Sequence, residues 1–96
     1  MLESGKPFMV AFLSDWWPTC ASQERTVSVL KAKPEYSEVT VLRADWDTYR
    51  KSELIKELEI RRRSTLVMFK DGEEIARVIA QTNEDVLEDM FKAATS

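Results

Sequence analysis

The chain has no histidine and a single cysteine, Cys20, in 96 residues. Without a second thiol no intrachain disulfide can form. Without imidazole there is no Cys/His zinc set and no histidine-based catalytic dyad or triad, so neither a metal nor a cofactor is expected. Positive charge is also lacking: the formal net charge is −3, which gives no basic field to draw the molecule onto phosphate backbones, and nucleic acid is not an expected partner. No apolar run approaches the roughly 20 residues needed to cross a bilayer, and Met1 to Lys6 is too short for a secretory signal, so no membrane insertion is expected. There is no repeat, linker or low-complexity tract. What is present is an ordinary soluble composition, 44% hydrophobic and 32% charged, of a size for one domain over residues 1–96 with one core.

Phe8 to Ser14 is almost continuously apolar after Lys6-Pro7, the pattern of a strand buried on both faces of a parallel sheet. Asp15 to Cys20 interrupts it. A helix is expected from Cys20 to about Ala32, with Pro18 tolerated in its first turn and Pro34 ending it. Its inward face is read as Cys20, Val27 and Leu30, with Ser22, Gln23, Arg25 and Lys31 toward water. Val39 to Asp45 is rich in β-branched residues, and reaching it through a helix predicts a right-handed parallel βαβ unit. Leu54, Ile55 and Leu58 predict a second helix over Tyr49 to Leu58, capped by Thr48 or Ser52. Thr65 to Lys70, Asp71-Gly72 and Glu73 to Ala80 read as a hairpin, because Asp-Gly supplies the positive φ angles of a type I′ turn. Val86, Leu87, Met90, Phe91 and Ala94 predict a last amphipathic helix, capped by Thr82 or Asn83. The sum is an α/β domain, β-α-β-α-β-β-α, with a four-stranded mixed sheet in spatial order 2-1-3-4 and helices on both faces.

That order, with Trp16-Trp17-Pro18-Thr19-Cys20 at the end of the first strand and Asp15 in front, resembles the thioredoxin family over essentially the whole chain. The family's Trp-Cys-x-x-Cys falls on Trp16 to Cys20, so Trp17 holds the position of the attacking cysteine and Cys20 that of the resolving one. Its Ile-(x)₃-Pro-Thr-Leu-x-x-Phe-x-x-Gly is similar to Ile60 through Ser64-Thr65-Leu66, Phe69 and Gly72, with Ser64 in place of the cis-proline. The wording is closest to periplasmic-type bacterial thioredoxin-like domains, including the C-terminal domain of the transmembrane disulfide reductase. The chain resembles a minimal version of the fold, starting near the first strand and carrying Ala11 where thioredoxins bury an aspartate.

The resemblance implies a thiol–disulfide oxidoreductase by descent, serving cell redox homeostasis. Its implied partners are protein or peptide thiols and disulfides, a thiol oxidoreductase among them. In the family the first cysteine sits at a helix N-terminus, where dipole and free N–H groups favour a thiolate that attacks a substrate disulfide and the second cysteine resolves the product. Indole carries no thiol, so dithiol exchange is expected to be lost or strongly impaired at Trp17. Cys20, at a position the family shields, is expected to be a mostly buried residue in the first turn of the helix. The implied substrate-binding residues are Trp16, Pro18, Thr19, Arg63, Ser64 and Thr65. A non-proline cis bond costs about 2.5–4 kcal/mol, so the Arg63–Ser64 bond is expected to be trans and the loop reshaped. Arg61, Arg62 and Arg63 either face water or rim the site for an anionic peptide or the carboxylates of glutathione. Trp16 is expected to pack partly against the domain, and Trp17 either fills the old site or offers an aromatic contact. Asp45 and Asp47 lie at the end of the second strand, near where open α/β sheets bind ligands, with no further feature to assign them. The alternative reading is a non-catalytic interaction module that recognises a peptide or protein through Trp16, Trp17 and the Arg61–Arg63 loop.

Overall fold

An apolar strand whose successive side chains point to opposite faces can supply two cores at once. β1 (Phe8–Leu13) does so: Met9, Ala11 and Leu13 enter one cluster, Phe8 and Phe12 the other, and all five are buried. The computed structural model describes residues 6–14 and 16–95. Met1 to Gly5, Asp15, Ser96 and the side chain of Leu54 lie outside the described residues, and with them the readings made of Met1 to Gly5, Asp15 and Leu54.

β1 is central. It pairs in parallel with β2 (Thr40–Asp45) and antiparallel with β3 (Thr65–Lys70), which pairs antiparallel with β4 (Glu73–Ile79), so the spatial order is β2-β1-β3-β4 as expected. β3 repeats the division of labour, with Leu66 and Met68 in the first cluster and Val67 and Phe69 in the second. The β3–β4 turn has φ 54° at Asp71 and 81° at Gly72, the sign the Asp-Gly pair predicts.

α1 (Pro18–Lys31) and α4 (Glu84–Thr95) cover the first face, and α2 (Trp46–Tyr49) and α3 (Glu53–Leu58) lie on the second. α1 directs Cys20, Gln23, Val27 and Leu30 inward, spacings of three and four that make one stripe. Gln23 is therefore a correction: read from its polarity as facing water, it is 0% exposed. α1 stops at Lys31, short of Pro34, which instead opens a 3₁₀ turn over Pro34–Tyr36. Tyr36 is buried against Phe91 of α4, and its hydroxyl donates to Glu88 Oε2 at 2.9 Å, where Lys33 Nζ also bonds at 3.2 Å.

The single helix expected over Tyr49 to Leu58 is two. Asp45 caps α2, its Oδ1 accepting from the Asp47 N–H and its Oδ2 from the Thr48 hydroxyl, so the chain turns helical as soon as β2 ends and buries Trp46. Ser52 then restarts the helix as the N-cap of α3, accepting from the Ile55 N–H. α3 closes at Glu59, which adopts φ 55°, and Arg77 of β4 donates to the carbonyls of Leu58 and Glu59 that the helix end leaves over. At α4, Asn83 rather than Thr82 is the cap, its Oδ1 accepting from the Asp85 and Val86 N–H groups.

Candidate functional site

The site lies where β1 passes into α1. Ser14 ends the extended chain and its carbonyl accepts from the Trp17 N–H at 3.2 Å, which folds the junction back on itself. Trp17 is the N-cap residue, with extended dihedrals (φ −98°, ψ 118°), and Pro18 occupies the first turn, where its missing N–H costs nothing. Indole has no oxygen with which to cap, and among the described residues the N-cap makes no side-chain hydrogen bond to the first turn. The helix end thus keeps its positive partial charge.

Cys20 is one helical turn deeper and only 1% exposed. Its Sγ accepts from the Ser14 N–H at 3.4 Å and is hydrogen-bonded to Ser64 Oγ. Among the described residues no peptide bond is cis, so Arg63–Ser64 is trans, and Ser64 takes φ 60°. That left-handed conformation costs a non-glycine residue roughly 1–2 kcal/mol, and three backbone contacts hold it there. Ser64 N–H donates to Phe12 O (2.8 Å), while its carbonyl accepts from Ala80 N–H (2.8 Å) and from Gln23 Nε2 (3.0 Å). Gln23 Nε2 also reaches the Gln81 carbonyl at 2.9 Å, so one amide clamps the segment before β3 to the segment after β4. Its Oε1 is buried without a partner among the described residues.

Above this layer, Arg63 organises the aromatic pair. Its guanidinium carbon stands 4.8 Å from the Trp16 ring centroid and 4.7 Å from that of Trp17, and the two indoles meet edge to face at 5.2 Å. Arg63 Nε donates to Ser14 Oγ (3.1 Å), and a terminal nitrogen lies 3.8 Å from Asp47 Oδ1. Trp16 Nε1 donates to Asp47 Oδ2 at 2.9 Å. Trp16 nonetheless remains 62% exposed, less packed than expected, and Trp17 is 36% exposed. Beside them Trp17, Thr19, Trp46 and the three arginines line a cleft of about 260 Å³.

The structure brings the residues singled out from the sequence into one neighbourhood. Trp16, Trp17 and Arg63 form one cluster, Cys20 and Ser64 one buried pair, and Thr19 lines the cleft. Pro18 is exposed, and Thr65 is buried with its hydroxyl on the Arg62 carbonyl at 2.7 Å. Three contributors were not foreseen: Gln23 and Trp46, whose roles have no local signature, and Ser14, whose hydroxyl anchors Arg63. Asp47, noted from the sequence only for its place at the end of β2, is a partner of both Trp16 and Arg63. Among the described residues no group of three His, Cys, Asp or Glu side chains could hold a metal, and no helix is long and apolar enough to cross a membrane.

The sequence model of the family described as Thioredoxin matches residues 1–93. Thioredoxin Asp f 28 of Aspergillus fumigatus is 30% identical over 95 residues, which are 99% of this chain and 84% of that protein. Among solved structures, Trxlp of Edwardsiella tarda matches with a TM-score of 0.86 at 30% identity, over 94% of this chain and 85% of that one. A mutant thioredoxin from Halobacterium salinarum matches with 0.82 at 26% identity, over 98% and 79%. Agreement this extensive goes beyond a shared strand order, and the chain belongs to the thioredoxin family.

Proposed function

We propose that residues 1–96 act as one thioredoxin-family domain that no longer carries out dithiol/disulfide exchange and still docks protein or peptide partners of thiol–disulfide systems. The observation that carries this reading is the pairing of Trp17 with Cys20. The helix N-cap, where the family's thiolate would be stabilised, bears an indole, and the one thiol of the chain lies beneath it, hydrogen-bonded to Ser64. Exchange needs an attacking thiolate that can reach the substrate sulfur in line and a second thiol to release the product. Trp17 supplies neither sulfur nor acid–base function, and a thiol 1% exposed has no approach for a protein disulfide.

The test is insulin reduction by dithiothreitol with and without the protein. The expected result is no acceleration by the protein as it stands and measurable acceleration by Trp17→Cys. Acceleration by the unaltered chain would mean that Cys20 works alone, and the proposal would fall.

The second reading, an interaction module with no bearing on thiol chemistry, draws support from the cluster of Arg63 with Trp16 and Trp17. Exposed indoles held by a cation–π contact and a hydrogen bond are rigid enough to recognise a surface for its own sake. Partner binding that ignores the oxidation state of the partner's cysteines would favour it.

A further inference from the structure

The docking face carries a charge that the rest of the molecule does not. In a chain of net charge −3, three consecutive arginines converge on one cleft. They are not equivalent. Arg63 is committed to Ser14, Asp47 and the two indoles. Arg61 and Arg62 are exposed, and neither guanidinium has an ion-pair or hydrogen-bond partner among the described residues. A charge run in a loop is normally just solvated, but here the guanidiniums line a cleft whose other walls include Trp17 and Trp46. Among the described residues the one carboxylate that touches the cluster, Asp47, is already engaged by Arg63 and Trp16.

We infer that this cleft recognises an acidic peptide segment, with Arg61 and Arg62 receiving its carboxylates and Trp17 its apolar side chain. This rests on the proposed docking role and names the class of partner. Three properties of the site favour that occupant. A guanidinium presents a planar fork that matches a carboxylate and is weakly hydrated, so it gives up water at low cost. The loop is preorganised, since Thr65 holds the Arg62 carbonyl and Arg63 is pinned on three sides, which spares the ordering cost of binding. At about 260 Å³ the cleft is below the roughly 300–1,000 Å³ of small-molecule pockets, a size for one or two peptide residues. The N-terminus of α1 beside Trp17, without a side-chain cap from Trp17, adds positive potential of the same sign.

The experiment is fluorescence polarisation with three labelled probes: a short peptide alternating Glu with Leu around a central Phe, its isostere with Gln for every Glu, and a single-stranded oligonucleotide. The protein is used whole, alongside Arg61→Gln/Arg62→Gln, both side chains exposed and neither guanidinium bonded among the described residues. The acidic peptide should bind about tenfold more tightly than its Gln isostere, the gain expected of two exposed charge pairs, and the preference should vanish in the double variant. Raising the salt should shrink it. Equal binding of the Glu and Gln peptides, or a preference that survives the double substitution, overturns the inference. So does oligonucleotide binding as tight as that of the acidic peptide, which would make the site a general polyanion surface. Self-association abolished by the double substitution also overturns it, with a second copy as occupant. Insulin reduction by the unaltered protein separates the two proposals: turnover defeats the docking role, while no turnover and no acid preference defeats only this inference.

Discussion

The Cys20 thiol and the Ser64 hydroxyl are hydrogen-bonded to each other across 44 residues of chain, and both side chains are buried. Each is the other's cover. A thiol with two partners and no solvent exposure reacts only when the structure opens. DTNB is therefore expected to label the native protein far more slowly than the urea-unfolded chain. Ser64→Gly, which removes the hydroxyl while accepting φ 60°, should speed native labelling. Native labelling at the rate of an unfolded thiol would show that the pair does not seal the site.

Trp17→Cys is expected to form an internal disulfide with Cys20, because residues at the N-cap and one turn later lie on the same side of a helix. Exchange activity should then be measurable in the insulin assay, though below that of a thioredoxin with its proline loop and buried aspartate, since Ser64 and Ala11 stand in those places. A disulfide without activity would show that Trp17 is not the only lesion and favour the interaction-module reading.

Gln23→Ala removes the donor shared by the Ser64 and Gln81 carbonyls and leaves a void. A loss of about 2–3 kcal/mol is expected in urea denaturation. Gln23→Leu fills the void and also deletes the unpartnered Oε1, so its cost should be smaller by roughly 1 kcal/mol. No loss in Gln23→Leu would mean that the amide does no clamping.

Stability should fall at both ends of the pH range through one contact. The hydrogen bond from Tyr36, with Lys33 beside it, holds the Glu88 carboxyl below its ordinary 4.5. A lowered folded value means that the stabilisation is complete above the ordinary value and disappears as pH drops through the folded one. Burial and then the bond to Glu88 push Tyr36 up from 10.0 to about 12, so its contribution is intact below pH 10 and fades as pH rises toward 12. Urea midpoints measured against pH should lose part of the acid limb in Glu88→Gln and the alkaline limb in Tyr36→Phe.

The sequence was most legible where one residue type answers to one physical demand. The apolar run of β1 and the Asp71-Gly72 turn led directly to the sheet order, because a two-faced strand must be central and Asp-Gly must reverse the chain. Polarity misled at Gln23: helical spacing from Cys20 placed it inward, but an amide is assigned to water until its carbonyl partners, 41 and 58 residues away, are known. The split of the second helix was hidden for a related reason. Asp45 had been weighed as a ligand candidate, and its use as a cap shows only when β2 ends beside it. Arg61 to Arg63 looked uniform, and only the fold separates the anchored Arg63 from its two neighbours.

The backbone at Ser64 also bears on how this site can change. A proline ring fixes φ near −65°, whereas Ser64 stands at 60°, on the far side of the Ramachandran map. Proline also lacks the N–H that Ser64 donates to Phe12. Ser64→Pro would therefore meet a loop shaped against it, with Gln23 and Ala80 holding the carbonyl in the present orientation. Restoring a cysteine at position 17 asks for one side chain; restoring proline at 64 asks for a different main chain. The two departures from the family therefore differ in reversibility, and a cysteine placed at position 17 would work beside a loop of the present shape rather than a proline one.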